Sequence, residues 1–222
     1  MSEPVTGSTG AGALPPPRTI VVGDIVTDVL AMLSAAPTPG SDTPAVIRVT
    51  GGGQAANTAA WLAWQGAPVT LVGRVGDDDA GRSRVAELEQ LGVRCLVPRC
   101  PRAATGTIVV LVHDGERTML TERGANLLLT PADVTGALAA APDAAHLHLS
   151  GYTLLDAGSR DAGRHALAAA RAAGLTTSVD AASAAPLRRL GAKQFLSWVR
   201  DVDLLLANRD EASALTGSTD SG

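Results

Sequence analysis

Apolar residues along this chain fall into two alternating rhythms. Short apolar runs, "TIVV" before Gly23–Asp24 and "PVTLVG", have the β-branched content of strands buried on both faces, and "AHLHLSG", "LTTSVD" and "DLLLAN" read as further strands. Between them lie longer stretches with helical spacing. "QAANTAAWLAWQG" reads as an Ala-rich helix closed by Gly66, and "DDDAGRSRVAELEQLG" as a helix with Val85, Leu88 and Leu91 on one stripe and Gly92 at its end. "TPADVTGALAAA", "SRDAGRHALAAARAAG", "KQFLSWVRDV" and "RDEASALTG" supply further helices. This alternation predicts an α/β fold, a mostly parallel sheet with helices on both faces. Two segments break the rhythm. "PAVIRVTGG" alternates weakly, and "ATGTIVVLVHDGERTMLTERG" reads as a hairpin turning at Asp114–Gly115. They predict a small β-structure projecting from the sheet edge.

Composition narrows the picture. The 222 residues suit one large domain or two small ones, and with 45% hydrophobic but only 2% aromatic residues the core must be built from Ala, Val and Leu. A formal charge of -4 offers no basic patch for nucleic acid. Residues 1–17 have neither a basic nor an apolar signal region and read as a disordered leader. No apolar run approaches the ~20 residues that span a bilayer, so no membrane partner is expected and a cytoplasmic location is. Cys95 and Cys100 are too few for a disulfide framework and read as reduced thiols.

Ligands in doubly wound sheets bind at the carboxyl ends of the strands. Polar residues recur there: Asp24 and Asp28, Gly51–Gly53 with Asn57, Asp180, and Asn208 with Glu211. The run "TGGGQAAN" is not a Walker loop, since Gln54–Ala55 stand where Lys and Ser/Thr are required, and no G-x-G-x-x-G follows the first strand. A polar metabolite fits better: glycines permit close approach, Asn57 offers donor and acceptor, and the Asp28 carboxylate can accept two hydroxyl hydrogens. Asp77–Asp79 read as helix-capping acids rather than a metal site. His146 and His148 alternate on a strand without a third zinc-like ligand, and no Ser–His–Asp system is visible. Asn208 and Glu211 have two readings, Mg²⁺ held through water or a capping pair at a helix start.

Together, "IVVGDIVTD", "GGGQAANTAAWLAWQGAPVTLVGRVGDDDAG" and "LLLANRDEASALTG" resemble, in order and spacing, the PfkB (ribokinase-like) family of carbohydrate and nucleoside kinases. The resemblance implies a ribokinase-like three-layer α/β/α sandwich over residues 18–222, the C-terminal part of the fold missing, with a β lid near 43–50 and 105–122. It implies ATP as co-substrate, Mg²⁺, and a sugar or nucleoside substrate held by Asp28, Gly52, Gly53, Gln54, Asn57 and Tyr152. Asn208 and Glu211 would position Mg²⁺ and phosphate, Glu211 through water. Lid strands that pair between subunits imply a homodimer. Several positions depart from the family pattern. Gln54 stands where Lys is frequent, Val26 where Asn is frequent, Tyr152 near an expected acid, and the Asn that often follows two residues after Asp180 is missing. The Gly-x-Gly-Asp segment that carries the family's anion hole and catalytic Asp does not occur in these residues. Little or no kinase activity is therefore expected of this chain, which reads as the N-terminal portion of a kinase. The alternative is a non-catalytic sugar- or nucleoside-binding module.

Overall fold

The computed structural model describes residues 16–218. Apart from Pro16 and Pro17, the expected leader lies outside them. Strands β1 (Arg18–Val22), β2 (Val26–Leu33) and β3 (Ala45–Gly52) lead into α1 (Gln54–Trp64), then β4 (Val69–Val72), β5 (Val75–Gly76) and α2 (Asp79–Gln90). The short β6 (Arg94–Leu96) and β7 (Arg99–Cys100) precede the hairpin of β8 (Gly106–His113) and β9 (Glu116–Glu122). After a 3₁₀ turn at Gly124–Leu128 come α3 (Pro131–Ala140), β10 (Ala144–Ser150), α4 (Tyr152–Leu155), α5 (Arg160–Ala172) and β11 (Thr176–Asp180). The described chain ends through α6 (Ala184–Leu190), α7 (Ala192–Val199), β12 (Leu204–Leu206) and α8 (Arg209–Thr216).

The central sheet has six parallel strands in the order β12-β11-β10-β1-β4-β6. Alternate residues of its strands feed two cores. Val21, Val69 and Leu71 pack with Ala55, Ala56 and Ala59 of α1 and Leu88 of α2. Ile20, Val22, Leu147, Leu149 and Val179 pack against α3, α5, α7 and α8, through Val134, Ala166, Phe195 and Leu215 among others. Strands β1 and β4 are apolar on both faces because helices cover both, whereas β10 and β11 carry His146, His148 and Ser178 on the α1 side. The chain fills the sheet first on the β4 side of β1 and then on its β10 side. The strand order therefore reverses between β1 and β10, which makes that crevice the expected ligand position in a doubly wound sheet.

A second sheet, order β3-β2-β8-β9, takes up the segments that broke the alternation. Residues 45–52 and 106–122 lie in it, and Val26–Leu33 forms a strand that the hydrophobic pattern does not separate from β1. Only three residues part the two strands, and Asn126 fixes the change of direction there. Its Oδ1 accepts the Ile25 amide at 2.9 Å while its Nδ2 donates to the Ile25 carbonyl at 2.9 Å. The hairpin turns at Asp114 and Gly115, both with positive φ (48° and 79°), the conformation a two-residue turn needs to match strand twist.

The α2 stripe differs from its sequence pattern. Leu88 is buried, but Leu91 is 52% exposed at the helix end, and Gly81 and Arg84 complete the buried face. Val85 is only partly buried. Asp78 is the N-cap, accepting from the Gly81 amide at 2.7 Å and from the Thr105 amide and hydroxyl, so the acidic run does cap the helix and also ties it to β8. Gln65 caps α1, with Gly66 following at φ +80°. Among the described residues no helix is long and apolar enough to cross a membrane.

One backbone position is strained. Ala182 has φ 72°, a left-handed conformation that costs a Cβ-bearing residue roughly 1–2 kcal/mol, and its amide donates to Asp180 Oδ1 at 2.8 Å. This is the position where the resemblance leads one to expect Asn, a residue that tolerates the left-handed region. Ala182→Gly is predicted to raise stability by roughly 1 kcal/mol, read from the urea midpoint at unchanged m-value; an equal or lower midpoint would contradict the strain.

Candidate functional site

At the carboxyl end of β1 the chain places an acid in the core. Asp24 is 3% exposed, and a carboxylate so buried must be hydrogen-bonded. It accepts the Gln54 amide at 3.1 Å, the Ala55 amide at 3.4 Å and the Ser150 hydroxyl at 2.8 Å. The first two are free N–H groups of the α1 N-terminus, where the helix dipole also favours a negative charge. The third comes from the end of β10. Asp24 thus holds β1, α1 and β10 together at the switch point. Gly23 makes the approach possible, since a Cβ there would lie 2.5 Å from the Ser150 Cβ.

The network continues outward. Ser150 Oγ is 2.6 Å from Gln54 Oε1, and Gln54 Nε2 donates to Asp180 Oδ1 at the end of β11. Arg123 reaches the same centre from the end of β9. Its Nη1 lies 3.6 Å from Asp24 Oδ2, its Nε donates to Asp156 at 2.9 Å, and its guanidinium stacks 4.4 Å over the Tyr152 ring. Ser150, Arg123 and Asp156 are not singled out by the sequence. Ser150 carried a signal, being the polar residue that ends "HLHLS"; Arg123 and Asp156 carried none.

Asp28 lies on β2 just beyond this knot. Its Oδ1 is buried without a hydrogen-bond partner, and the missing side chain of Gly52 leaves it room: a Cβ at Gly52 would overlap the carboxylate. Burial, reinforced by the Asp24 charge and opposed by Arg84, holds the Asp28 carboxyl above the usual carboxylate range. Asn57 sits one turn into α1, exposed and without a side-chain partner, and lines the space beside Gly52. Gln54, Asn57, Trp61, Tyr152 and Ala182 border an open cleft of about 630 Å³. Arg123, Tyr152, Asp156 and Ser183 border a second, of about 600 Å³, under the β9 strand. The structure therefore gathers Gly52, Gly53, Gln54 and Asn57 with Asp28, and sets Tyr152 across the cleft from Gln54. Gln54 differs from the others in that its Nε2 is already bonded within the protein, to Asp180.

Asn208 and Glu211 stand apart, at the start of α8. They form a complete capping box: Asn208 Oδ1 accepts the Glu211 amide at 3.0 Å, and Glu211 Oε2 accepts the Asn208 amide at 2.9 Å. Asn208 Nδ2 donates to Glu211 Oε1 at 2.7 Å. The capping reading accounts for all these contacts. Glu211 is nevertheless 5% exposed, and each oxygen keeps a lone pair, the donor chemistry that takes a Mg²⁺-bound water. No group of three or more His, Cys, Asp or Glu side chains suited to a metal occurs among the described residues. His146 and His148 are both bonded to Ser178, at 2.7 and 2.8 Å. Cys95 and Cys100 are free, and burial pushes the Cys95 thiol up to about 12, far from a reactive thiolate.

The architecture has solved counterparts. It superimposes on an adenosine kinase from Sinorhizobium meliloti with a TM-score of 0.79 at 26% identity, over 92% of this chain and 68% of that one. A fructokinase from Halothermothrix orenii gives 0.77 at 22% identity, over 91% and 72%. The fold is ribokinase-like. In sequence, residues 17–221 match the pfkB family carbohydrate kinases, and the chain belongs to that family. It is 33% identical over 170 residues to an ATP-dependent ribose-1-phosphate kinase of Halopiger xanaduensis, covering 76% of this chain and 53% of that protein. It is also 33% identical over 173 residues to fructokinase-2 of Zea mays, covering 74% and 51%. The chain spans about half the length of these curated relatives.

Asp28 yields a prediction with a definite sign. Because its folded pKa is raised, its contribution to stability is complete below the ordinary carboxylate range and is lost as pH rises through that range to the raised value. Asp28→Asn removes the loss. The variant is expected to melt above the parent at neutral pH, with the gap closing in acid; thermal melts showing no pH-dependent gap would contradict the burial argument.

Proposed function

We propose that this chain forms the substrate half of a kinase that transfers the terminal phosphoryl group of ATP to a hydroxyl of a sugar or nucleoside. The observation that carries the reading is the Asp28 carboxylate, with its buried unpartnered Oδ1, beside Gly52 and the free amide of Asn57. A carboxylate accepts hydroxyl hydrogens, an amide can both donate and accept, and glycine lets the ligand approach the backbone. Family membership and the names of the relatives, which act on a sugar phosphate and on fructose, support a polyhydroxylated substrate.

In this reading Asp28 and Asn57 hold and orient the substrate hydroxyls, and Tyr152 closes the far side of the cleft. The second sheet acts as a lid that excludes water, which strengthens every electrostatic contact inside. Mg²⁺, where bound, would supply charge neutralisation at the transferred phosphate, with Glu211 accepting from its water and Asn208 orienting Glu211. Phosphoryl transfer also needs a group to orient and deprotonate the acceptor hydroxyl. The Gly-x-Gly-Asp segment does not occur among the 222 residues, so low turnover is expected of the chain alone.

Phosphorylation of a panel of sugars and nucleosides, by this chain and by one extended downstream, tests the proposal. Turnover by the extended chain, falling at least ~100-fold in Asp28→Ala, is the expected result. Sugar binding with no turnover from either chain would favour a non-catalytic binding module; neither binding nor turnover would sink both readings.

The lid also supports a homodimer. β3 is an edge strand whose Val46, Ile47 and Val49 are 57%, 64% and 61% exposed, and β9, at the opposite edge, exposes Met119 and Leu120. Apolar edges of this kind are templates for pairing with another strand. Sedimentation should show a dimer that Ile47→Lys converts to monomer. A parent that is monomeric at all concentrations would contradict the pairing.

A further inference from the structure

The chain has only five aromatic side chains, three Trp, one Tyr and one Phe, and two of them stand in the open on α1. Trp61 is 65% and Trp64 68% exposed, whereas Phe195 is fully buried. In a protein so poor in aromatics, leaving the two indoles in water forgoes apolar burial that the core could have used. The two rings meet edge to face, with centroids 5.3 Å apart and planes at 87°. That is a favoured geometry for aromatic pairs, and it steadies the Trp61 ring without covering it.

Asn57, Trp61 and Gln65 follow one another at i, i+4 and i+8. Helical geometry therefore stacks them along one face of α1, with successive Cβ atoms about 5–6 Å apart. All three line the open cleft of about 630 Å³ that Gln54 and Tyr152 also border. The side-chain amides of Asn57 and Gln65 have no hydrogen-bond partner among the described residues. None of the described side chains that line this cleft is charged, whereas the cleft under β9 holds Arg123, Asp156 and Arg189. An indole face with a free amide on either side, and no charge nearby, suits a flat neutral ligand with donors and acceptors on its edge. A nucleobase has that chemistry. A phosphate would find no counter-charge here, and a sugar alone would leave the indole face unmatched.

We propose that Trp61 is a substrate-binding residue that stacks the base of a nucleoside whose ribose hydroxyls are held at Asn57, with Gln65 bonding the edge of the base. The assignment rests on the sugar-site reading above and narrows its substrate class from sugars in general to nucleosides. Asn57 borders both this cleft and the space beside Gly52. One helical turn thus separates the hydroxyl contact from the ring, a spacing that a ribose and its directly attached base can span.

Calorimetric titration of the full chain with adenosine, uridine and D-ribose tests this, using the parent, Trp61→Leu and Trp61→Phe, with melting temperatures measured alongside. In the parent, at least one nucleoside should bind about fivefold or more tightly than D-ribose, the gain expected from stacking one base. Trp61→Leu should remove that advantage while leaving D-ribose affinity and the melting temperature unchanged, since the ring lies outside the core. Trp61→Phe, which keeps a smaller aromatic face, should fall between the two. Should Trp61→Leu aggregate, Trp61→Gln replaces it under the same criteria. Nucleoside binding by Trp61→Leu within about twofold of the parent, too small a change for a lost base stack, overturns the role of Trp61. A parent that binds D-ribose as tightly as either nucleoside overturns it too, and both results leave the sugar site standing. Equal weakening of D-ribose and nucleoside in Trp61→Leu would place the indole against the sugar and overturn the base assignment. A parent that binds none of the three overturns the sugar-site reading, and the stacking platform with it.

Discussion

A carboxylate buried in a protein core must find partners, and the way Asp24 finds them organises this molecule. Its oxygens take two amides of the α1 N-terminus and the hydroxyl that ends β10. Each bond is charge-assisted, so each is stronger than a neutral one, and removing the acceptor would strand three donors in the core. The three elements joined in this way are those that border the reversal of strand order. Helix α1 is therefore locked with its first turn against the crevice where a doubly wound sheet binds its ligand. Gly53, Gln54 and Asn57 lie at that first turn, placed by the anchor and, for Gln54, by its own contacts with Asp180 and Ser150.

Beyond the anchor the polar groups are only partly satisfied. Gln54 Nε2 donates to Asp180 while its Oε1 lies 2.6 Å from Ser150 Oγ, and Arg123 reaches Asp24 and Asp156 while lying over Tyr152. Arg123 Nη1 itself has no hydrogen bond, and neither do Asp28 Oδ1 and two Arg84 nitrogens further out, while Asn57 points into open space. Core networks in native proteins are satisfied, and exceptions concentrate where a ligand completes them.

Much of this was legible in the chain. Continuous apolar runs mark β1 and β4, where helices cover both faces of the sheet, and β10, β11 and β12 are marked by their place in the strand–helix alternation. The glycine–Asn turn, Asp28 and the Asn208–Glu211 pair stood out because each is a local motif. Strand β2 was hidden because "TIVVGDIVTDVLAML" stays apolar through a three-residue change of sheet, and the clamp that turns it, Asn126, is about a hundred residues away. Ser150 and Arg123 were hidden for the same reason: their meaning lies in long-range pairings such as Ser150 with Asp24, 126 positions apart. Leu91 shows the converse, an apolar residue in phase with a helix stripe but left exposed where the helix ends.

The sheet is less completely covered on its α1 side beyond β10, where Leu204 and Leu206 of β12 are exposed at 51% and 42% and Trp61 and Trp64 stand out from α1. That surface adjoins the cleft lined by Asn57 and Trp61. The central claim concerns the other side of Asn57: the Asp24 anchor presents Asp28, Gly52, Gly53 and Asn57 as one surface for hydroxyl groups. Amide NMR during titration with a neutral sugar or nucleoside tests it most directly. The largest shift changes should fall on the backbone amides of Asp28, Gly52, Gly53 and Asn57. A ligand whose shifts leave those amides unmoved and centre on the α5–α7 face instead would contradict the account.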